Sequence, residues 1–406
     1  MFDLERIRNK DVFRIYAITL CVGLAYGISI SLTAVYLNAR GIGKEDIGTL
    51  AAWFAGGLMV ASVPMGWLIR KLSARWVLSL GLLGYAGCIT LFPWLDSYAA
   101  LATVRFFDGA FSVSVWIACE TLLLALAEPE HKAYTTSLYA ISLAIGYVVG
   151  PLAAGGIAKL APLTLGFAAA GLVSIAAAVY TLLGLETRDL GHVHAHKSST
   201  AGEGPNWSVL VKIKASCFAA FAYGYFEAAV VLFLPIYLME SKGITRDQTI
   251  IIPAFFAAGM LLFSNVAGRY GDRSGHLLVM RALSIVGATM ILGFVFLDSY
   301  ALMSAAVFIA GASLGSISPV SLALQGAQCS EREYSRATSL YNTFYAAGIL
   351  LGPPLSSQLF ARSGGALMLY HLAALWVAFI LFSIVFARDD PRARVMSSVS
   401  VPGGEP

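Results

Sequence analysis

Charge is what this sequence has least of. Asp, Glu, Lys and Arg make up 12% of its 406 residues, about half of what a soluble domain carries. Its hydrophobic content of 58% is more than one soluble core can hide, so the composition fits a chain whose solvent is lipid. Cysteine is also scarce. Cys21, Cys88, Cys119, Cys217 and Cys329 show no paired spacing, which argues against structural disulfides and zinc. There is no G-x-x-x-x-G-K-[ST] loop to cradle ATP, and no G-x-S-x-G or H-E-x-x-H to carry hydrolysis. The expectation is a non-enzyme without a cofactor. The net charge of +4 gives no reason to invoke nucleic acid.

What the chain does have is long apolar segments. A membrane-spanning helix needs about 20 such residues. The pattern predicts helices over 12–37, 46–69, 74–95, 98–127, 134–158 and 163–185, then over 209–239, 247–269, 276–297, 299–328, 334–361 and 365–387. A membrane barrel would instead alternate over about ten residues per strand. The first segment is too long for a secretory signal and lacks a small-residue cleavage site, so it reads as a retained helix. Lys and Arg set the orientation. With both termini cytoplasmic, 20 of the 27 fall inside, and only Arg40, Lys44, Lys159, Lys242, Arg246 and Arg362 fall in external loops. Arg105 lies within a span. The expected location is the cytoplasmic (inner) membrane, as a multi-pass monomer.

An internal repeat divides the chain. LDSYA at Leu95–Ala99 recurs at Leu297–Ala301, and TSLY at Thr136–Tyr139 recurs at Thr338–Tyr341, both 202 residues on. Gly146, Gly150 and Pro151 recur as Gly348, Gly352 and Pro353, and Gly66 as Gly268. The organisation expected is an N-terminal six-helix bundle over 1–185, a cytoplasmic linker over 186–208, a C-terminal six-helix bundle over 209–388 and a disordered tail over 389–406. His192, His194 and His196 of the linker read as a solvated loop rather than a metal site. Two parallel six-helix halves describe a known transporter plan, in which substrate sits between the halves and rocking exposes it to one side at a time.

After the eighth segment the chain reads G-R-Y-G-D-R-S-G-H from Gly268 to His276. This resembles the G-x-x-x-D-R-x-G-R/K loop of the major facilitator superfamily, with His276 in place of the last basic residue. Gly268 would let two helices approach closely and Gly275 would permit the turn. Asp272 would pair with a cation or cap the next helix, with Arg273 as a cytoplasmic charge. The first-half loop keeps Gly66 but carries Arg70 where the acid belongs and Ser73 where the second glycine belongs. Arg105 to Gly109 resembles the family's R-x-x-x-G signature of proton coupling. Gly146, Gly150, Pro151, Gly155 and Gly156 resemble its antiporter signature, with one extra residue before the glycine pair. On that resemblance the fifth and eleventh helices share small, proline-bent surfaces where the halves meet, with tight packing as the plain alternative. The likeness implies the superfamily's fold, an all-α membrane protein of 12 transmembrane helices in two parallel pseudo-repeats. Narrower likeness points to bacterial inner-membrane members of the drug:proton antiporter kind.

Ionisable groups in a span are costly and need a reason. In the fourth segment Arg105, Asp108, Gly109, Ser112, Trp116, Cys119 and Glu120 share one helix face. Arg105 and Asp108 can pair locally. Glu227, in the seventh segment after Tyr223 and Tyr225, has no Lys or Arg within two turns, so it could bind and release a proton as a coupling group must. The expected proton-coupling residues are thus Glu227, Glu120, Asp108 and Arg105, and the expected cavity residues Trp116, Ser112, Tyr223, Tyr341, Tyr345 and Gln325. His371 reads as a satisfied histidine of an outer helix. The function expected is proton-driven export of a small amphipathic compound by alternating access. The alternatives are proton-coupled uptake of a sugar, organic anion or amino acid, and a transport-inactive receptor or scaffold.

Overall fold

The computed structural model describes residues 10–126, 132–185, 207–330 and 333–390. The histidine-bearing linker, the outermost tail and Arg6 and Arg8 lie outside these. Among the described residues the long elements are twelve helices: α1 (Lys10–Ala39), α2 (Lys44–Leu72), α3 (Ala74–Leu91), α4 (Tyr98–Leu126), α5 (Lys132–Leu160), α6 (Leu163–Gly184), α7 (Trp207–Lys242), α8 (Arg246–Ser274), α9 (His276–Phe294), α10 (Tyr300–Gln328), α11 (Tyr334–Ser363) and α12 (Ala366–Val385). Each falls where the apolar pattern predicts it. Eleven are long and apolar enough to cross a membrane. The exception is α11, whose 30 residues are long enough but diluted by Ser, Thr, Asn, Tyr and Gln. Acids in the first turns of α2 (Glu45, Asp46) and α8 (Asp247) complement the helix dipole. Gly364, left-handed at φ 71°, closes α11. One π turn, Gly311–Gly315, interrupts α10.

The chain forms two contact units. The first comprises the residues up to Lys197 together with Val231–Ala254, and the second comprises Ser198–Val230 with the chain from Phe255. In the first unit α1 runs along α5, with Gly23 and Gly27 facing Gly146 and Gly150. A Cβ on Gly150 would lie 2.6 Å from the Gly27 Cα, closer than any side chain tolerates. Where α2 crosses α4, Gly57 meets the backbone of Phe106, and Gly109 that of Phe54. The end of α7 and start of α8 join this unit through Lys44–Glu240 (2.9 Å) and Lys159–Asp247 (3.5 Å), with Ile251 against Gly155.

The second unit repeats these crossings. Gly259 meets the Phe308 backbone and Gly311 that of Phe256, every partner 202 residues beyond its first-unit counterpart. Gly348 and Gly352 of α11 press on Phe221 and Tyr225 of α7, and Gly224 presses on Tyr345. Here the register shifts: Gly23 and Gly224 make equivalent contacts 201 apart. The sequence places the glycine faces of α5 and α11 where the halves meet. The structure turns Gly146, Gly150, Gly348 and Gly352 onto α1 and α7, because only a Cβ-free surface admits another backbone so closely, while Gly155 meets Ile251 of α8.

The α2–α3 and α8–α9 turns share a backbone conformation. Gly275 has φ 100°, ψ 132°, and Ser73 has φ 71°, ψ 151°. Ser73 is the one non-glycine residue of positive φ among those described, and such a placement costs about 1–3 kcal/mol.

Past α12 the chain folds back onto its unit. Asp390 accepts a hydrogen bond from the Leu277 backbone N–H at the start of α9 (2.9 Å). Asp389 pairs with Lys214 (2.5 Å), whose ammonium lies over the Phe386 ring, and the Asp389 carbonyl accepts from Gln328 Nε2. Nearby, Lys212 pairs with Glu333 at 2.6 Å. That lysine, then the N–H and hydroxyl of Ser330, hold the Glu333 carboxyl down at about 2.

Two outcomes follow. Ser73→Gly should raise the thermal midpoint of the purified protein, since relief of strain outweighs the added chain entropy by about 1 kcal/mol. An unchanged or lowered midpoint would contradict the strained backbone. Glu333 is depressed in the folded state, so its contribution is complete above its ordinary value near 4.5 and is lost as pH falls through the folded one. Wild type should therefore lose more thermal stability than Glu333→Gln between pH 5 and pH 2. Parallel losses would show the ion pair to be inert.

Candidate functional site

Glu227 sits on the α7 face that Gly224 brings against α11. Its Oε2 accepts a hydrogen bond from the Tyr345 hydroxyl at 2.9 Å, and Tyr223, one turn before it, supplies a second hydroxyl. The two tyrosine rings are stacked, 6.1 Å apart and 19° from parallel, and Tyr223 Oη also reaches Met260 Sδ at 3.6 Å. No Lys or Arg pairs with Glu227 among the described residues. The structure thus brings together three of the residues singled out from sequence. On the next face of α7, Tyr225 meets His371. His371 Nδ1 lies 2.6 Å from the Met368 carbonyl and must donate to it, so Nε2 accepts from the Tyr225 hydroxyl at 3.0 Å. His371 is satisfied, as its place on an outer helix suggests.

In the first unit Arg105 and Asp108 form the local ion pair that their spacing allows. The Arg105 guanidinium also lies over the Phe54 ring at 4.5 Å. Asp108 is 2% exposed and Ser112 fully buried, with Ser112 Oγ 3.4 Å from Asp108 Oδ1. Next to them Tyr26 stacks on Tyr85 at 4.4 Å and tilts toward Trp116 at 5.9 Å. Tyr85 Oη and Ser29 Oγ are 2.6 Å apart. Tyr26, Tyr85 and Ser29 were not legible as site residues. The signal that finds Tyr26 is the 201-residue register of α1 and α7, which sets it in the place of Glu227. A uniform offset of 202 points to Ala25.

Other expected residues stand apart. Glu120 is exposed and lies about 18 Å along α4 from Asp108. It makes no hydrogen bond or ion pair with a described residue. Tyr341 bridges α11 to α10 through Ser321 Oγ (2.8 Å) and the Ser318 carbonyl (3.2 Å). Gln325 donates to Thr338 Oγ1 at 3.1 Å and is 2% exposed. Both hold helices together. In the second turn, Asp272 lies 3.3 Å from His276 Nε2, an ion pair when the imidazole is protonated. His276 thus occupies the cation's place, while the cap on α9 comes from Asp390 and not from Asp272. Gly268 is a second correction. No atom of another described helix lies within 4 Å of where its Cβ would be, so it permits no close approach among the described residues. Pro151, Pro353 and Pro354 lie inside α5 and α11, where each removes a backbone donor.

No cluster of three or more metal-ligating side chains occurs among the described residues. The Major Facilitator Superfamily model matches residues 15–215 and again 216–400. The chain is 23% identical to the uncharacterized MFS-type transporter YfkF of Bacillus subtilis (strain 168), over 91% of this chain and 95% of that one. It is also 23% identical to the uncharacterized MFS-type transporter YcaD of Shigella flexneri, over 95% and 98%. Among solved structures, the nucleoside transporter NupG (D323A mutant) superposes with a TM-score of 0.76 at 14% identity, covering 93% of this chain and 98% of its own. A bacterial homolog to the human lysosomal transporter Spinster, inward-facing and occupied, gives 0.74 at 14%, covering 94% and 96%. At such identities the structures speak for the fold alone. The two-fold match of the family model, each copy spanning one half, carries the conclusion: the chain belongs to the Major Facilitator Superfamily and is a multi-pass membrane transporter of the secondary type.

Proposed function

We propose that this transporter exports a small amphipathic compound in exchange for protons, and that Glu227 is the group that takes up and releases the proton. The observation that carries this reading is the environment of its carboxylate, held by the hydroxyl of Tyr345 and beside that of Tyr223. A carboxyl group bound only by hydroxyls can exchange a proton without breaking an ion pair. Asp108 is less suited, because its charge is already matched by Arg105. That pairing also weighs against an organic anion as the solute, since the guanidinium is engaged within its own helix. The stacked tyrosines and the Tyr26–Tyr85–Trp116 group offer aromatic faces with few charges, as an amphipathic solute requires. The basic bias of the even-numbered turns supports the cytoplasmic membrane, with both termini inside and the α1–α2 and α7–α8 turns outside.

On this reading Lys44–Glu240 and Lys159–Asp247 close the outer end of the first unit, and opening that end breaks them. The proton claim is tested in proteoliposomes with a compound panel and an imposed pH gradient. Glu227→Gln should abolish gradient-driven accumulation while leaving gradient-independent exchange measurable. Accumulation that survives in Glu227→Gln would sink the assignment, and accumulation only in the inward direction would replace export with uptake. The outer pair has its own test. Lys44→Glu should lower flux several-fold, and adding Glu240→Lys should restore at least half of it. Equal flux in all three proteins would show that the pair takes no part in the cycle.

A further inference from the structure

We infer that the α2–α3 turn binds the headgroup of an anionic phospholipid. From Ile47 to Leu95 the sequence holds Arg70, Lys71 and Arg75 and not one Asp or Glu. The three cations fall within six residues of a turn whose connector is the single residue Ser73. Lys71 is exposed and lies over the Trp67 ring at 5.0 Å, with no ion pair to a described residue. Arg75 donates to the Leu182 carbonyl and is thereby fixed at the end of α6.

Tryptophans place this turn at a membrane surface. Trp67 is 55% exposed and Trp76 is 50% exposed, one on each side of the basic residues. Trp94, just past the far end of α3, and Trp53, within α2, are exposed as well. Along α3 and the turn that follows it, Trp76 and Trp94 are separated by about 27 Å, close to the thickness of a hydrocarbon core. Exposed tryptophans at two such levels are the mark of the two membrane interfaces. The basic turn therefore stands at headgroup depth, where anionic lipids attract cations by about fivefold per charge.

The second unit has a feature without a counterpart among the described residues of the first. There the equivalent turn is electrically mixed, and the carboxylate of Asp390 sits on the N-terminus of α9, accepting from Leu277 N–H. Ser73 makes no side-chain cap on α3, and no described carboxylate takes the place of Asp390. The phosphate of a lipid headgroup supplies that anion, with Trp67 and Trp76 flanking it and Lys71 reaching it from above the Trp67 ring.

The tryptophans are also the probe. The full-length protein is reconstituted in phosphatidylcholine containing an equal fraction of either dibrominated phosphatidylglycerol or dibrominated phosphatidylcholine, and tryptophan fluorescence is read. Quenching by the brominated anionic lipid should exceed that by the zwitterionic one. The excess should fall by about half or more in Trp67→Phe/Trp76→Phe. It should vanish in Arg70→Gln/Lys71→Gln, with Lys71→Arg retaining it. Equal quenching by the two lipids overturns the inference, because the chain then supplies its own counter-charge. An excess that survives Arg70→Gln/Lys71→Gln overturns it too, by placing the lipid elsewhere. Neither outcome touches the assignment of Glu227.

Discussion

Backbone against backbone is the contact on which this architecture depends. In lipid, apolar side chains gain nothing by leaving one apolar neighbour for another, so helices associate through close fit and local polar contacts. Here the fit is made by glycines. Gly23 and Gly27 meet Gly146 and Gly150, Gly57 and Gly109 let α2 cross α4, and the same crossings recur between α7 and α11 and between α8 and α10. Three side chains of the candidate site stand within a turn of such a contact. Tyr26 follows Gly23, Glu227 follows Gly224, and Asp108 precedes Gly109. The glycines fix the rotation of each helix, and the rotation decides which polar groups look inward.

The halves share this scaffold and differ in what they mount on it. In the first, Asp108 is matched by Arg105 and the neighbouring space is filled by stacked aromatic rings with neutral hydrogen bonds. In the second, Val307 stands where the repeat would put an arginine, and Glu227 stands where α1 has Tyr26. One half is electrically closed and the other keeps a carboxylate among hydroxyls. On the proposed function, that division would confine proton exchange to one half and leave the other to aromatic contact with the solute.

The turns differ in the same complementary way. Gly275 adopts its left-handed conformation freely and leaves room for Asp390, which ties the chain after α12 to α9. Ser73 holds nearly the same conformation under strain, and basic residues gather where the second half has carboxylates. Similar backbone geometry thus serves an internally neutralised turn in one half and a cationic one in the other.

The twelve helices could be read from the sequence because each apolar run must satisfy its backbone groups within itself, a demand local to the run. The repeat was legible for the same reason, since LDSYA, TSLY and GxxxGP are contiguous strings. The Arg105–Asp108 pair was legible because i and i+3 face each other on any helix. What tertiary structure alone decided lies between segments. It paired Tyr345 with Glu227 across 118 residues, brought Asp390 to Leu277 across 113, and turned the GxxxG faces onto α1 and α7. It also shifted α1 and α7 by one residue against the repeat, which hid Tyr26 behind Ala25. A helix's sequence specifies which residues share a face, but only the neighbour packed against that face determines what each of them meets.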